Sequence, residues 1–166
     1  MRAIYLIGFM GAGKTTVSQE LSRRMNVAVY DTDEEIVKRT GMSINEIFSN
    51  EGEEKFRLLE TEVLRSMPSN EAVIATGGGI IGSEENRLYL KDKVNVVYLH
   101  AELENILERL KDDNSRPLLR KDKMKTAEAL YLSRLQLYRE AARLEINTSD
   151  KTVQQIVDDI IQRIKK

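Results

Sequence analysis

Cysteine is absent from this chain, so disulfides, thiolate nucleophiles and cysteine metal sites are excluded together, and a reducing compartment is the expected setting. His100 is the single histidine. No histidine metal cluster can be assembled from it, and a histidine general base has one candidate, which follows the apolar run 94–99 and reads as a strand-end residue. Neither sign of charge is in excess: 26 Lys and Arg against 27 Asp and Glu leave a net charge of −1, which gives no bulk attraction to nucleic acid or an acidic membrane surface. Aromatic residues make up 5%, too few for a base-stacking series. No apolar run approaches the roughly 18 residues of a membrane span, and the N-terminus passes into a strand without a charged leader and apolar segment. The expectation is a soluble, cytoplasmic protein with neither nucleic acid nor membrane as partner. With 166 residues there is material for one full core, and residues 1–166 read as a single domain.

What is present is organised around Gly8-Phe9-Met10-Gly11-Ala12-Gly13-Lys14-Thr15, a full match to G-x-x-x-x-G-K-[ST] that follows the apolar run 3–7. The order strand, glycine loop, helix places successive backbone N–H groups in a concave nest, which the helix N-terminus makes more favourable for anions. Gly11, Ala12, Gly13, Lys14, Thr15 and Thr16 are therefore the expected phosphate-binding residues of an ATP site. Lys14 would reach the β- and γ-phosphates, and the Thr15 hydroxyl would take one position on Mg²⁺.

Beyond the loop, Val17, Leu21 and Met25 recur at helical spacing, and 27–30 reads as a short buried strand ending at Asp31-Thr32-Asp33. Thr32 or Asp33 can cap the next helix, which Gly41 ends, and Ser43 with Glu46 has the form of a capping box. A helix interrupted at Gly52 follows, with Phe56, Leu59 and Val63 inward and Arg57 and Glu60 on the neighbouring face, where a solvated ion pair is the plain reading. The strand 72–76 leads into Gly77-Gly78-Gly79, a costly sequence for a simple connection, so something is expected to approach that backbone closely. A helix at 84–91, a strand at 94–99 and a helix at 102–110 come next. The polar stretch 111–123 reads as a mobile lid. A helix over 126–143 has Leu130, Leu135, Tyr138 and Ala142 as buried positions, and a last strand at 144–148 precedes a C-terminal helix striped by Val153, Ile156, Val157, Ile160, Ile161 and Ile164. The alternation predicts an α/β fold with a five-stranded parallel sheet and helices on both faces.

A chain this small with a phosphate loop fits a small-molecule kinase. Phosphoryl transfer needs an in-line acceptor, neutralisation of charge and exclusion of water. Asp33 could orient or deprotonate an acceptor hydroxyl, Arg116 could neutralise the transferring charge, and Arg57 and Arg134 could hold an anionic substrate, since a guanidinium fork matches a carboxylate.

Taken together, the motifs resemble those of shikimate kinase. I-G-F-M-G-A-G-K-T-T opens the chain, followed by D-T-D at 31–33 and I-F-x-x-x-G-E-x-x-F-R-x-x-E at 47–60. T-G-G-G at 76–79, S-R-P-L-L at 115–119 and R-x-x-x-Y at 134–138 complete the set, in family order and over nearly the whole chain. The resemblance implies a three-layer P-loop kinase fold of the nucleoside-monophosphate-kinase type, strand order 2-3-1-4-5, with substrate-binding helices at about 32–66. It further implies transfer of the ATP γ-phosphate to the 3-hydroxyl of shikimate, with Mg²⁺, by a monomer.

On that resemblance Asp33 would bind the acceptor hydroxyls and act as base, Arg57 and Arg134 would grip the carboxylate, and Glu60 would orient Arg57. Gly77, Gly78 and Gly79 would present backbone N–H groups to the substrate, and Arg116 would contact the ATP phosphates from the lid. Thr15 would be a direct and Asp31 a water-mediated contact to the metal, with Arg109 and Lys151 in the adenine region. The chain departs from the family's pattern at Gln136, where members commonly carry proline. A kinase for another small hydroxy acid such as gluconate, and a nucleotide-binding regulator without catalysis, are the competing readings. A degenerate regulator would be expected to lack Lys14, Asp33 or Arg116, and all three are present.

Overall fold

The computed structural model describes residues 1–111 and 123–164. The stretch read as a lid, including Arg116, lies outside them apart from its two end residues. Five parallel strands, β1 (Ile4–Ile7), β2 (Ala28–Asp31), β3 (Ala72–Ala75), β4 (Asn95–His100) and β5 (Leu144–Asn147), form one sheet in the order β2-β3-β1-β4-β5. The helices are α1 (Lys14–Met25), α2 (Thr32–Thr40), α3 (Ile44–Ser66), α4 (Glu84–Lys91), α5 (Leu103–Leu110), α6 (Lys123–Ala141) and α7 (Val153–Ile164), with a 3₁₀ turn at Gly78–Gly82.

β1 and β3 are buried along their whole length because both neighbours and both faces are covered. Tyr5 and Tyr98 point to one face of the sheet, where they meet Tyr89 of α4 and Tyr138 of α6. Helices α1 and α7 pack against each other and against the sheet, so the sheet is the middle of three layers. α2 and α3 pack together beside the edge strand β2. No helix among the described residues is long and apolar enough to cross a membrane.

Three local expectations change. The run 27–30 is not a buried strand: β2 lies at the sheet edge, and Val29 is 42% exposed. The cap of α2 is neither Thr32 nor Asp33 but Asp31, whose carboxylate accepts from the backbone N–H groups of Asp33 (2.9 Å) and Glu34 (3.3 Å). The buried stripe of α6 runs through Ala127, Tyr131, Arg134, Tyr138 and Ala141, leaving Leu130, Leu135 and Ala142 half-buried. That helix continues past Gln136 without a break.

Candidate active site

All five strands are parallel, so their C-terminal ends lie on one side, and the segments that leave those ends build the site. The loop after β1 wraps a cleft of about 390 Å³, closed on its other sides by Asp31, Asp33, Thr76, Arg109, Thr148 and Lys151. Lys14 lies at 9% exposure with its ammonium donating to the carbonyls of Gly8 (2.6 Å) and Phe9 (2.9 Å), which hold the charge at the loop's mouth. Arg109 donates to the Gly11 carbonyl at 2.6 Å and Lys151 pairs with Asp159 at 2.7 Å. Every expected ATP-side residue among the described ones therefore lines this cleft.

Thr15 and Asp31 border the same cleft with a hydroxyl and a carboxylate, the hard oxygen donors that Mg²⁺ prefers. Among the described residues no group of three or more His, Cys, Asp or Glu side chains could hold a metal. A donor set this sparse fits an ion held chiefly by phosphate oxygens and water.

A second cavity, about 60 Å³, adjoins the first, and the two share Met10, Asp33, Gly77 and Gly78. Its walls are apolar on one side, where Phe48 and Phe56 pack with ring centroids 4.9 Å apart, and cationic on the other, where Arg57 and Arg134 converge. Phe48 and Phe56 can meet because α3 bends at Gly52, whose φ of 85° and ψ of 168° interrupt the helix between them.

Arg57 and Glu60 are not a solvated surface pair. Their contact of 2.9 Å involves a Glu60 side chain only 1% exposed, and burial pushes its carboxyl up to about 7 although Arg57 pulls the other way. At Gly79 a Cβ would overlap the Arg57 guanidinium, the far end of a flexible side chain, so the glycine leaves that guanidinium its present place. The close approach expected at the triple glycine is thus made in part by the protein's own side chains. The Gly77 N–H is also committed, donating to the buried Thr32 hydroxyl at 3.0 Å, so Gly77 shapes the pocket and its amide is not open to a ligand.

Arg134 is 7% exposed, its guanidinium carbon lies 5.8 Å from the Phe9 ring centroid, and its Nη1 has no hydrogen-bond partner among the described residues. A buried guanidinium nitrogen left unsatisfied beside a cavity is what an anionic ligand would complete. One turn on, Tyr138 donates to the Gly78 carbonyl at 2.5 Å and stacks on Tyr98. His100 lines neither cavity; its ring contacts the Tyr98 hydroxyl (3.1 Å) and Glu102 (3.3 Å), in keeping with a strand-end role. Thr32, expected as a helix cap, instead accepts from the Gly77 N–H, and Phe9, Met10 and Phe48 stand at the site with no role expected of them. Phe48 carried helical spacing as its signal, whereas Phe9 and Met10 occupy unspecified positions of the loop pattern and carried none.

The family model for shikimate kinase matches residues 10–165. A shikimate kinase from Bacillus cytotoxicus is 42% identical over 164 residues, which cover 99% of each chain. The solved structure of shikimate kinase from Acinetobacter baumannii in complex with shikimate superimposes with a TM-score of 0.94 at 39% identity, over 99% of this chain and 93% of that one. The Aquifex aeolicus shikimate kinase gives 0.85, also at 39% identity, over 98% of this chain and 96% of that one. A phosphate loop and an arginine-lined pocket meeting at one aspartate, in a chain matched along nearly its whole length, lead to one assignment: the chain belongs to the shikimate kinase family.

Proposed function

We propose that this chain transfers the γ-phosphate of ATP to the 3-hydroxyl of shikimate, giving shikimate 3-phosphate and ADP on the route to chorismate and the aromatic amino acids. The observation that carries this reading is the junction of the two cavities at Asp33, which leaves a nucleotide cleft on one side and an arginine-lined acceptor pocket on the other. Arg57 and Arg134 hold the acceptor's carboxylate, and Glu60 keeps Arg57 turned toward it. Asp33 receives the proton of the attacking hydroxyl while the oxygen forms its bond to the γ-phosphorus and the bond to the β-phosphate oxygen breaks. Lys14 leaves its two loop carbonyls to follow the β- and γ-phosphates.

Thr15 directly, and Asp31 through water, are the residues that would hold Mg²⁺, which would supply neutralisation of charge on the β- and γ-phosphate groups. Arg109 and Lys151 flank the adenine end of the cleft, and Thr16 completes the phosphate nest. Arg116, outside the described residues, is assigned to the transferring phosphoryl group on its sequence motif. On the family resemblance we assign the working unit as a monomeric single domain whose acceptor side is residues 32–66.

The test is ADP release by the purified protein with Mg-ATP, alone, with shikimate and with gluconate. Strong stimulation by shikimate only is the expected result. Equal stimulation by gluconate, or none by either while ATP still binds, would remove the assignment.

A further inference from the structure

Phe9 occupies an unspecified position of the phosphate loop, yet it is 1% exposed and is tied into both halves of the site. Its backbone belongs to the nucleotide side: the Phe9 carbonyl accepts from the Lys14 ammonium at 2.9 Å and from the Ala12 N–H at 3.1 Å. Its side chain lines neither cavity but meets the acceptor side through Arg134. The ring lies 5.8 Å from the Arg134 guanidinium carbon and is fixed by an edge contact with Tyr131, centroids 5.8 Å apart and planes at 74°. Tyr131 is held in turn by donating to the Ala101 carbonyl at 3.1 Å.

Arg134 needs such support. It is a permanent cation at 7% exposure, and its Nη1 finds no hydrogen-bond partner among the described residues. The π-face of a buried phenyl ring attracts a cation without competing for the unpartnered Nη1, which stays available to a ligand, while Tyr138 interacts with the same guanidinium from its own helix. A hydrogen-bonding residue at this position would occupy that donor instead.

We propose that Phe9 is a positioning residue for the reaction: its ring holds the Arg134 guanidinium in the acceptor pocket by a cation–π contact, so acceptor affinity depends on the electron density of a side chain in the nucleotide loop. The inference rests on the assignment of Arg134 to the acceptor carboxylate. It requires an effect on the acceptor's KM with little effect on the KM for ATP, because Phe9 does not line the nucleotide cleft.

The test is site-specific replacement of Phe9 by phenylalanines carrying one to four ring fluorines, which drain the π-face with little change of volume. The KM for shikimate rises stepwise along the series, reaching on the order of ten-fold, while the KM for ATP stays constant. A second arm is Phe9→Leu measured in the wild-type and Arg134→Ala backgrounds. The rise in acceptor KM seen in the first background vanishes in the second, since the ring acts through the arginine. A shikimate KM flat along the fluorine series, or a parallel rise for both substrates, would overturn the inference. If the unsubstituted protein does not turn over shikimate at all, the functional assignment fails instead, and the two failures are told apart by that control.

Discussion

At Glu60 two influences act in opposite directions. Removal from water favours the neutral acid, the Arg57 guanidinium 2.9 Å away favours the carboxylate, and burial wins, moving the group from 4.5 to about 7. The folded chain therefore binds this proton more tightly than the unfolded chain does. Its contribution to stability is fullest below about 4.5 and is lost as pH rises through about 7. Glu60→Gln removes the titration while keeping the shape, so its stability relative to the native chain should be roughly 2–3 kcal/mol more favourable at pH 8 than at pH 5. Urea unfolding of both proteins at the two pH values measures this difference, and equal differences would mean that Glu60 is ionised throughout.

Gly79 gives a second prediction at this scale, with stability and function separated. The atoms a new Cβ would meet are the far end of the flexible Arg57 side chain, which can swing aside at little cost to the fold. Gly79→Ala should keep its unfolding midpoint but lose the arginine's alignment, raising the KM for shikimate about ten-fold or more. Asp33→Ala should instead lower kcat by a factor on the order of 10²–10⁴, the usual range for a general base, while Mg-ATP binding followed by calorimetry persists.

Among the elements, most of the sheet and helix order was readable from the sequence, because strands without Gly or Pro alternate with helices whose apolar spacing is regular. What was not readable depended on neighbours. The segment 27–30 carries a buried strand's composition, but its position at the sheet edge exposes Val29, and strand order is a property of the assembled sheet. In α6 the apolar residues misled: Arg134 takes a core position that Leu130 and Leu135 yield, since the helix turns its face toward the acceptor cavity. The candidate site was legible as residue types, and Asp33, Arg57, Glu60 and Arg134 do meet around one cavity. Which backbone groups were already committed, such as the Gly77 N–H to Thr32, was not legible, because that bond joins residues 45 positions apart.

The start of α2 carries a prediction of its own. Asp31 caps the helix with one oxygen and borders the nucleotide cleft with the same carboxylate. Asparagine caps almost as well as aspartate but carries no charge, whereas alanine loses both functions. Asp31→Asn should unfold close to the native chain and Asp31→Ala about 1 kcal/mol earlier, while both need more Mg²⁺ for half-maximal turnover. Thermal melts combined with a metal titration separate the two roles; an unchanged metal requirement in both variants would leave Asp31 as a cap only.

At the scale of the molecule, the two cavities rest on one rigid sheet but draw on different segments. The nucleotide cleft takes its walls from the loops after β1 and β5, and the acceptor cavity from α3 and α6, with Met10, Asp33, Gly77 and Gly78 in common. Ligands that bind only the folded state raise its stability by about 2.7 kcal/mol at a hundred-fold excess over Kd, which for a chain of this size moves the midpoint by roughly 5–10 °C. A crossed pattern follows from the division of walls. Lys14→Ala should abolish the shift produced by Mg-ATP and keep the one produced by shikimate, because Lys14 lines only the first cavity. Arg134→Ala should do the reverse, because Arg134 lines only the second. Differential scanning fluorimetry of the two variants with each ligand supplies all four values. Loss of both shifts in either variant would mean that the cavities do not form independently, and the shared wall around Asp33 would then be the part of the molecule that both substitutions disturb.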